Sequence, residues 1–596
     1  MTLTQGISRY TLLVYLTLSI TTTTVLAFQK AQCNQIVTDL LNNGSLSTDD
    51  SIFYRSNGLP MSNLDNLILT VPGCVDTCGA GSSFYVDIGP RLSTWLIPIL
   101  LLIGNAHFAR LGREKYLMIL HILGDPIDSM WSLLTKAELW SRCYSLARTY
   151  MHQHAHEDPE HYERRILDVA TVYAAIEDLL GSGTDQFRLH FEQILREKRP
   201  DMTTEHFYHL TKEVANELSD SRSNELRRAG LAVLSYLYHV IAAFVEAVGG
   251  KSSSPPGGRI GTALLLSFLI PLVLVSNAMG GYTSRRTCLR IMERYVKTVT
   301  GNSVEDLRRF SAAKPSRHFF AAGRETSSTT DFYSAQLWTG TVTCYTPRKS
   351  LGFVGGKRDN SPALLLLAAL LPVFVATVIS ITEICLTPTT GLGCRSVMLL
   401  VIFLLWVTSA FITWVTWRTG LATGRYHYML TTAKDAVVAV PIVVLIFLSS
   451  CGLFNSCYCW SAVFSRRGDA HVILDDSDER RYNAETYYPG LVTSCLGAQF
   501  LIVLWMLRLI RHGSTLFRRD EQQKQQDWLA THAHRRHLTF SPGASPEALM
   551  PRTPGYSPEV LLGKSKPLGS PELAALELDS RISSSEPLLR MGMVHH

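Results

Sequence analysis

Apolar residues in this chain come in long unbroken runs, not in the interrupted stripes of water-soluble helices. Four runs, Pro362 to Ile384, Ser396 to Trp417, Ala436 to Phe454 and Gly490 to Leu507, follow one another across short polar loops, and Glu383 is the exception to their lack of interior charge. A helix rises about 1.5 Å per residue and a bilayer's hydrocarbon core is about 30 Å thick, so about 20 apolar residues cross it. A helix with one face in water would keep that face polar. Each run therefore predicts a transmembrane helix, as do Leu92 to Ala109 and Ile260 to Met279. Ala229 to Val248 is weaker, because it carries His239 and Glu246. Pro98, Pro271, Pro372 and Pro441 fall inside these runs, where neighbouring helices can satisfy the freed carbonyls, so kinks are expected and not breaks.

Between the first two runs the period changes. At Gly124-Asp125-Pro126 an N-cap residue precedes proline at the first helical position, and Ile127, Met130, Trp131, Leu134, Ala137 and Tyr144 then mark one helical face. A second stripe, Ile166, Ala170, Tyr173, Ile176 and Leu180, ends at Gly181. Shorter helices are expected over Asp185 to Lys198 and Glu205 to Leu218. Residues 110–228 thus predict a helical domain packed on itself or on the membrane surface.

The start of the chain has the form of a secretory signal over residues 1–27: Arg9, an apolar core at Thr11 to Ile20, and small residues ending at Ala27. An uncleaved anchor is the alternative, and both put Phe28 outside. Residues 28–91 then form a polar head with Cys33, Cys74 and Cys78. So small a region buries little apolar surface, and a disulfide is its natural brace. Three cysteines allow three single bridges. Asn43-Gly44-Ser45 is an N-glycosylation acceptor.

Charge orients the runs. The net charge is +6 and the mean hydropathy +0.10, with no compact basic domain of the kind that binds nucleic acid. The loop 281–361 holds fourteen Lys and Arg residues, and such loops stay on the cytosolic side. Seven spans satisfy this with the head outside: 92–109, 229–248, 260–279, 362–384, 396–417, 436–454 and 490–507. The cysteines agree, since Cys33, Cys74, Cys78, Cys385, Cys394, Cys451, Cys457 and Cys459 all lie on the outer side or at its edge. Cys385 and Cys394 bracket a short loop and are a candidate pair. The fold class expected is all-α, a polytopic membrane bundle with a cytosolic helical domain and a disordered tail over 511–596.

Candidate chemistry is sparse. His152, His154, His156 and His161 read better as a solvated linker than as a metal cluster, because Pro159 ends the turn. Gly250-Lys251-Ser252 lacks the glycine at position 245 that a phosphate loop needs. His107, His239, Glu246 and Glu383 are the ionisable residues within spans, and all lie in the weaker run or near helix ends. No catalytic residue, metal or cofactor is expected. In the tail a basic stretch suited to an anionic leaflet gives way to Pro, Ser and Gly. Ser541, Ser545, Thr553, Ser557 and Ser570 each precede proline, and Thr539 follows Arg535-Arg536, so these six are candidate phosphorylation sites.

Three stretches carry a resemblance: Val71-Pro72-Gly73-Cys74 with Cys78, Gly89-Pro90-Arg91-Leu92, and Leu123 to Leu134. They resemble a group of fungal multi-pass membrane proteins with no assigned activity, which implies architecture only. The large polar regions and the tail point to sensing or scaffolding in a secretory-pathway membrane, with the lipid bilayer and cytosolic proteins as partners, the latter through 110–228 and the tail. A transporter or channel subunit is the alternative.

Overall fold

The computed structural model describes residues 30–516, apart from 80–87, 107–113, 155–158, 181–190, 249–256, 302–360, 420–423, 452–458, 475–481 and a few shorter gaps. The signal, most of the basic loop and the six tail sites lie outside the described residues.

The described chain is mostly helical. It opens with α1 (Lys30–Asn42), the short strands β1 (Arg55–Ser56), β2 (Leu59–Pro60) and β3 (Ile68–Thr70), and α2 (Val71–Cys78). Thr70 caps α2 by accepting from Gly73 N at 3.2 Å, and Pro72 occupies its first turn. Then come α3 (Ile88–Gly104), α4 (Glu114–Gly124), α5 (Pro126–His154), α6 (Pro159–Leu180) and α7 (Thr204–Asp220). After β4 (Arg222–Ser223) follow α8 (Leu226–Val248), α9 (Gly257–Leu265), a 3-10 turn at Leu266–Phe268, α10 (Leu269–Met279), β5 (Gly281–Tyr282) and α11 (Arg285–Thr300). The last elements are α12 (Pro362–Leu386), α13 (Cys394–Thr419), α14 (Gly424–Cys451), α15 (Val463–Arg466), β6 (His471–Ile473), α16 (Tyr488–Leu509) and α17 (Arg511–Thr515).

Five of these stretches are long and apolar enough to cross a membrane: Ile260–Met279, Pro362–Leu386, Cys394–Thr416, Leu430–Cys451 and Tyr488–Leu509. A sixth arises if α4 and α5, bent by 107° at Asp125, count as one broken span. Such helices mark a membrane-embedded protein. Ile260–Met279 is buried almost throughout and forms the axis, whereas the other four each leave one face bare. Those bare faces are apolar: Leu367 and Phe374 on α12, Leu404 and Phe411 on α13, Val437 and Phe447 on α14, Phe500 and Leu504 on α16. In water this would be costly, but against lipid it is neutral.

Polar bonds join the axis to its neighbours. Tyr236 donates to Ala263 O at 2.6 Å and Ser380 to Gly261 O at 2.5 Å. Gln499 donates to Pro372 O at 2.9 Å and to Ser267 Oγ, within the 3-10 turn, at 3.3 Å. With no water in a bilayer core, interhelical partners of this kind are what such groups have.

The head differs from the expected self-contained unit. Of the three bridges open to Cys33, Cys74 and Cys78, Cys33 pairs with Cys78, and Cys74 reaches Cys459, 385 residues away. β3 pairs antiparallel with β6, Leu69 opposite Val472, and Val472 and Leu474 enter the core formed by Val37, Phe53 and Leu69. A region of this size lacks apolar residues to bury its own surface, and the segment between α14 and α16 supplies them. Asn43 lies exposed on the turn that ends α1. The candidate pair Cys385 and Cys394 is corrected: no bridge joins them. Cys385 ends α12 with its Sγ 3.3 Å from Ser396 Oγ, while Cys394 opens α13.

The helices of 110–228 do not stand apart from the bundle. α4 lies along α14, and α5 packs on α12, α13 and α17 before continuing along α6. α6, α7 and α11 form the remaining layer around Tyr173, Phe191, Phe207 and Tyr295. Burial raises the phenol of Tyr295 well above its usual range, and Thr211 Oγ1 lies 3.1 Å from it.

Candidate functional site

Two ionic clusters hold this layer to the bundle. The simpler one surrounds Trp140, which is fully buried. Lys136 and Arg222 lie 5.3 and 4.3 Å from its ring, and both face Asp178, at 3.0 and 3.8 Å. Arg222 also donates to Gly280 O at 3.3 Å, just past the end of α10. Two cations there share one carboxylate and the Trp140 ring, so it reads as a fastening.

The second cluster sits at the α4–α5 bend. Asp125 caps α5 as expected, its Oδ1 accepting from Asp128 N at 3.0 Å. Pro126 cannot continue α4, since it has no N–H and disfavours a helical residue before it, and the chain turns there. The cap is buried, and its other oxygen has a different task. Asp125 Oδ2 accepts from Lys434 Nζ, from Ser409 Oγ at 3.1 Å and from Thr413 Oγ1 at 3.1 Å. Lys434 also donates to both hydroxyls at 2.8 Å and lies 3.1 Å from Asp435 Oδ1. On the other side of the bend, His121 Nδ1 is 2.6 Å from Asp435 Oδ2, and its Nε2 is 3.5 Å from Asp128 Oδ2.

Lys434 and Asp435 occupy the first turns of the apolar stretch Leu430–Cys451, and Ser409 and Thr413 the last two turns of Cys394–Thr416. The cluster is therefore near one end of the bundle. All five ionisable side chains are at most 8% exposed. Burial of ions is tolerated only with close partners, and here α4, α5, α13 and α14 each contribute at least one. Trp406 extends the contact by donating to Leu123 O, at the end of α4, at 2.8 Å. Its ring meets Phe268 of the 3-10 turn edge to face, 5.2 Å between centroids. Three carboxylates face one lysine and one histidine. Neither oxygen of Asp128 has a hydrogen-bond partner among the described residues, and neither does His121 Nε2.

Locally, Asp125 is an N-cap, and the Lys434-Asp435 pair falls just before the apolar run that begins at Ala436, because charge ends a hydropathy run. The usable signal is His121, Asp125 and Asp128 set among Ile122, Leu123 and Ile127. Of the intramembrane candidates, Glu383 is fully buried at the far end of α12, and neither of its oxygens has a hydrogen-bond partner among the described residues. His239 bonds its own helix at Ser235 O, 2.7 Å away. His107 lies outside the described residues. No His, Cys, Asp and Glu grouping suited to a metal occurs among the described residues.

No protein-family model, curated protein or solved structure matches this chain.

Proposed function

We propose that the chain is an integral membrane sensor or scaffold in which α14 couples an outer head to a cytosolic helical body. One observation carries this: α14 is fastened at both ends to different parts of the molecule. Beyond Cys451 the chain enters the head through Cys459 and β6, while Lys434 and Asp435 grip the α4–α5 bend. A displacement of the head is thereby delivered to the helix that opens the polar body.

Seven crossings with the head outside remain our topology, with the α4–α5 pair as a re-entrant element. Cys74 and Cys459 share one side, so an even number of crossings separates them. Four of the five long apolar stretches lie between them, so α3 and α8 cross both or neither. α3 and α8 pack together and present Ile97, Leu100, Leu231 and Leu234 outward, which supports both crossing. Phosphorylation in the tail and cytosolic partners complete the reading.

The coupling is tested by hydrogen exchange on the full chain in nanodiscs. Releasing the head with Cys459→Ser is expected to speed exchange at residues 116–130 and 430–440 about fivefold or more, the lower range of allosteric couplings. A loosened head with unchanged exchange at the cluster overturns it. A transporter or channel subunit is the second reading, and buried Glu383 favours it. Proton or cation flux into proteoliposomes that Glu383→Gln abolishes would favour it over the sensor.

A further inference from the structure

We infer that His121 and Asp128 form a proton-binding site whose occupancy sets how firmly the α4–α5 bend is held to α14. This rests on the coupling role of α14 argued above. The chemistry begins with a charge count. Asp125 and Asp435 are answered by Lys434, which contacts both. That leaves Asp128 and His121, 3.5 Å apart and buried, at 1% and 2% exposure.

With one proton between them, on the imidazole or on the carboxyl, the five groups sum to one negative charge. With two, an imidazolium beside a neutral carboxylic acid, they sum to zero. A buried set is cheapest when neutral, so the site takes up one proton from water and returns it to water. The bonds concerned are one N–H or O–H on the pair and one O–H of hydronium. Imidazole is the side chain that makes this exchange near neutral pH.

Occupancy changes the hold on α14. The doubly protonated pair gives His121 a full charge against Asp435 Oδ2, 2.6 Å away, and removes the competing charge of Asp128. The singly protonated pair leaves a buried negative charge that favours separation and entry of water. The groups that face the pair are Asp125 at the bend, Lys434 and Asp435 from α14, and Ser409 and Thr413 from α13, whose hydroxyls do not titrate here. Lys136, the next charge along α5, is two turns on, about 12 Å at the helical rise, and is matched by Asp178.

The test is hydrogen exchange of the full chain in nanodiscs from about pH 5 to about pH 8, corrected for intrinsic rate, across the histidine range. Protection of residues 116–130 and 430–440 is expected to fall about fivefold or more as pH rises, a normal coupling magnitude. The double variant His121→Gln/Asp128→Asn, in which neither group can take up the proton, is expected to give a flat profile, with unchanged protection of Ile260–Met279 showing that the bundle is intact. A flat wild-type profile, or the double variant with the wild-type slope, overturns the site. A flat double-variant profile beside a sloping wild type upholds it, and the response of the cluster to Cys459→Ser judges the coupling separately.

Discussion

Lys434 is the cation that two buried carboxylates share, and this makes the cost of losing it calculable in kind. Breaking a buried pair from one side leaves an uncompensated charge, at about 3–5 kcal/mol. Lys434→Met is expected to destabilise the protein by about that amount in thermal unfolding in detergent. Adding Asp125→Asn removes the stranded charge, so the double variant should be less damaged than the sum of the two single ones. A Lys434→Met protein as stable as wild type would show that the lysine is not the counter-ion of the cluster. Half of Asp125's role was legible: the triplet Gly124-Asp125-Pro126 specifies a cap through local backbone chemistry, and the cap is there. The other half was not, because Lys434 lies 309 residues away and nothing local to either residue names the other.

The helices show the same division one scale up. α6 and α7 match their apolar stripes to within a residue or two, since periodicity and caps belong to contiguous sequence. The start of α14 does not, because Lys434 and Asp435 break the hydropathy while the helix runs back to Gly424, its charges answered by α4 and α5. The bend itself depends on close approach: a Cβ on Gly124 would lie 2.6 Å from Asp435 O. Gly124→Ala is therefore expected to push α4 from α14 and lower thermal stability. Gly497→Ala in α16, where a Cβ meets nothing within 4 Å, should be neutral or slightly stabilising. Equal stability of the two variants would show that α4 does not need to sit so close.

For the whole molecule, orientation is the quantity to test. A reporter fused after Ser361 is expected to face the cytosol, and one inserted between Asp475 and Glu479 to face outward, because fourteen basic residues in 281–361 oppose translocation of that loop. A reporter after Ser361 that faces outward would place the head inside and overturn the orientation, since Ser361 and the head lie on opposite sides whether α3 and α8 both cross or neither does. The sequence by itself determined that the chain is helical and apolar enough for a membrane, where the long runs lie, and which helices are capped. Those properties follow from run length, period and backbone chemistry, all of which act between near neighbours. Only the tertiary structure decided that the head is completed by the segment before α16, that Cys74 bonds Cys459, and that the supposed separate domain begins inside the bundle at a buried ionic cluster. Each of these is a pairing between distant residues, set by which apolar faces pack together and by the need of every buried charge for a partner.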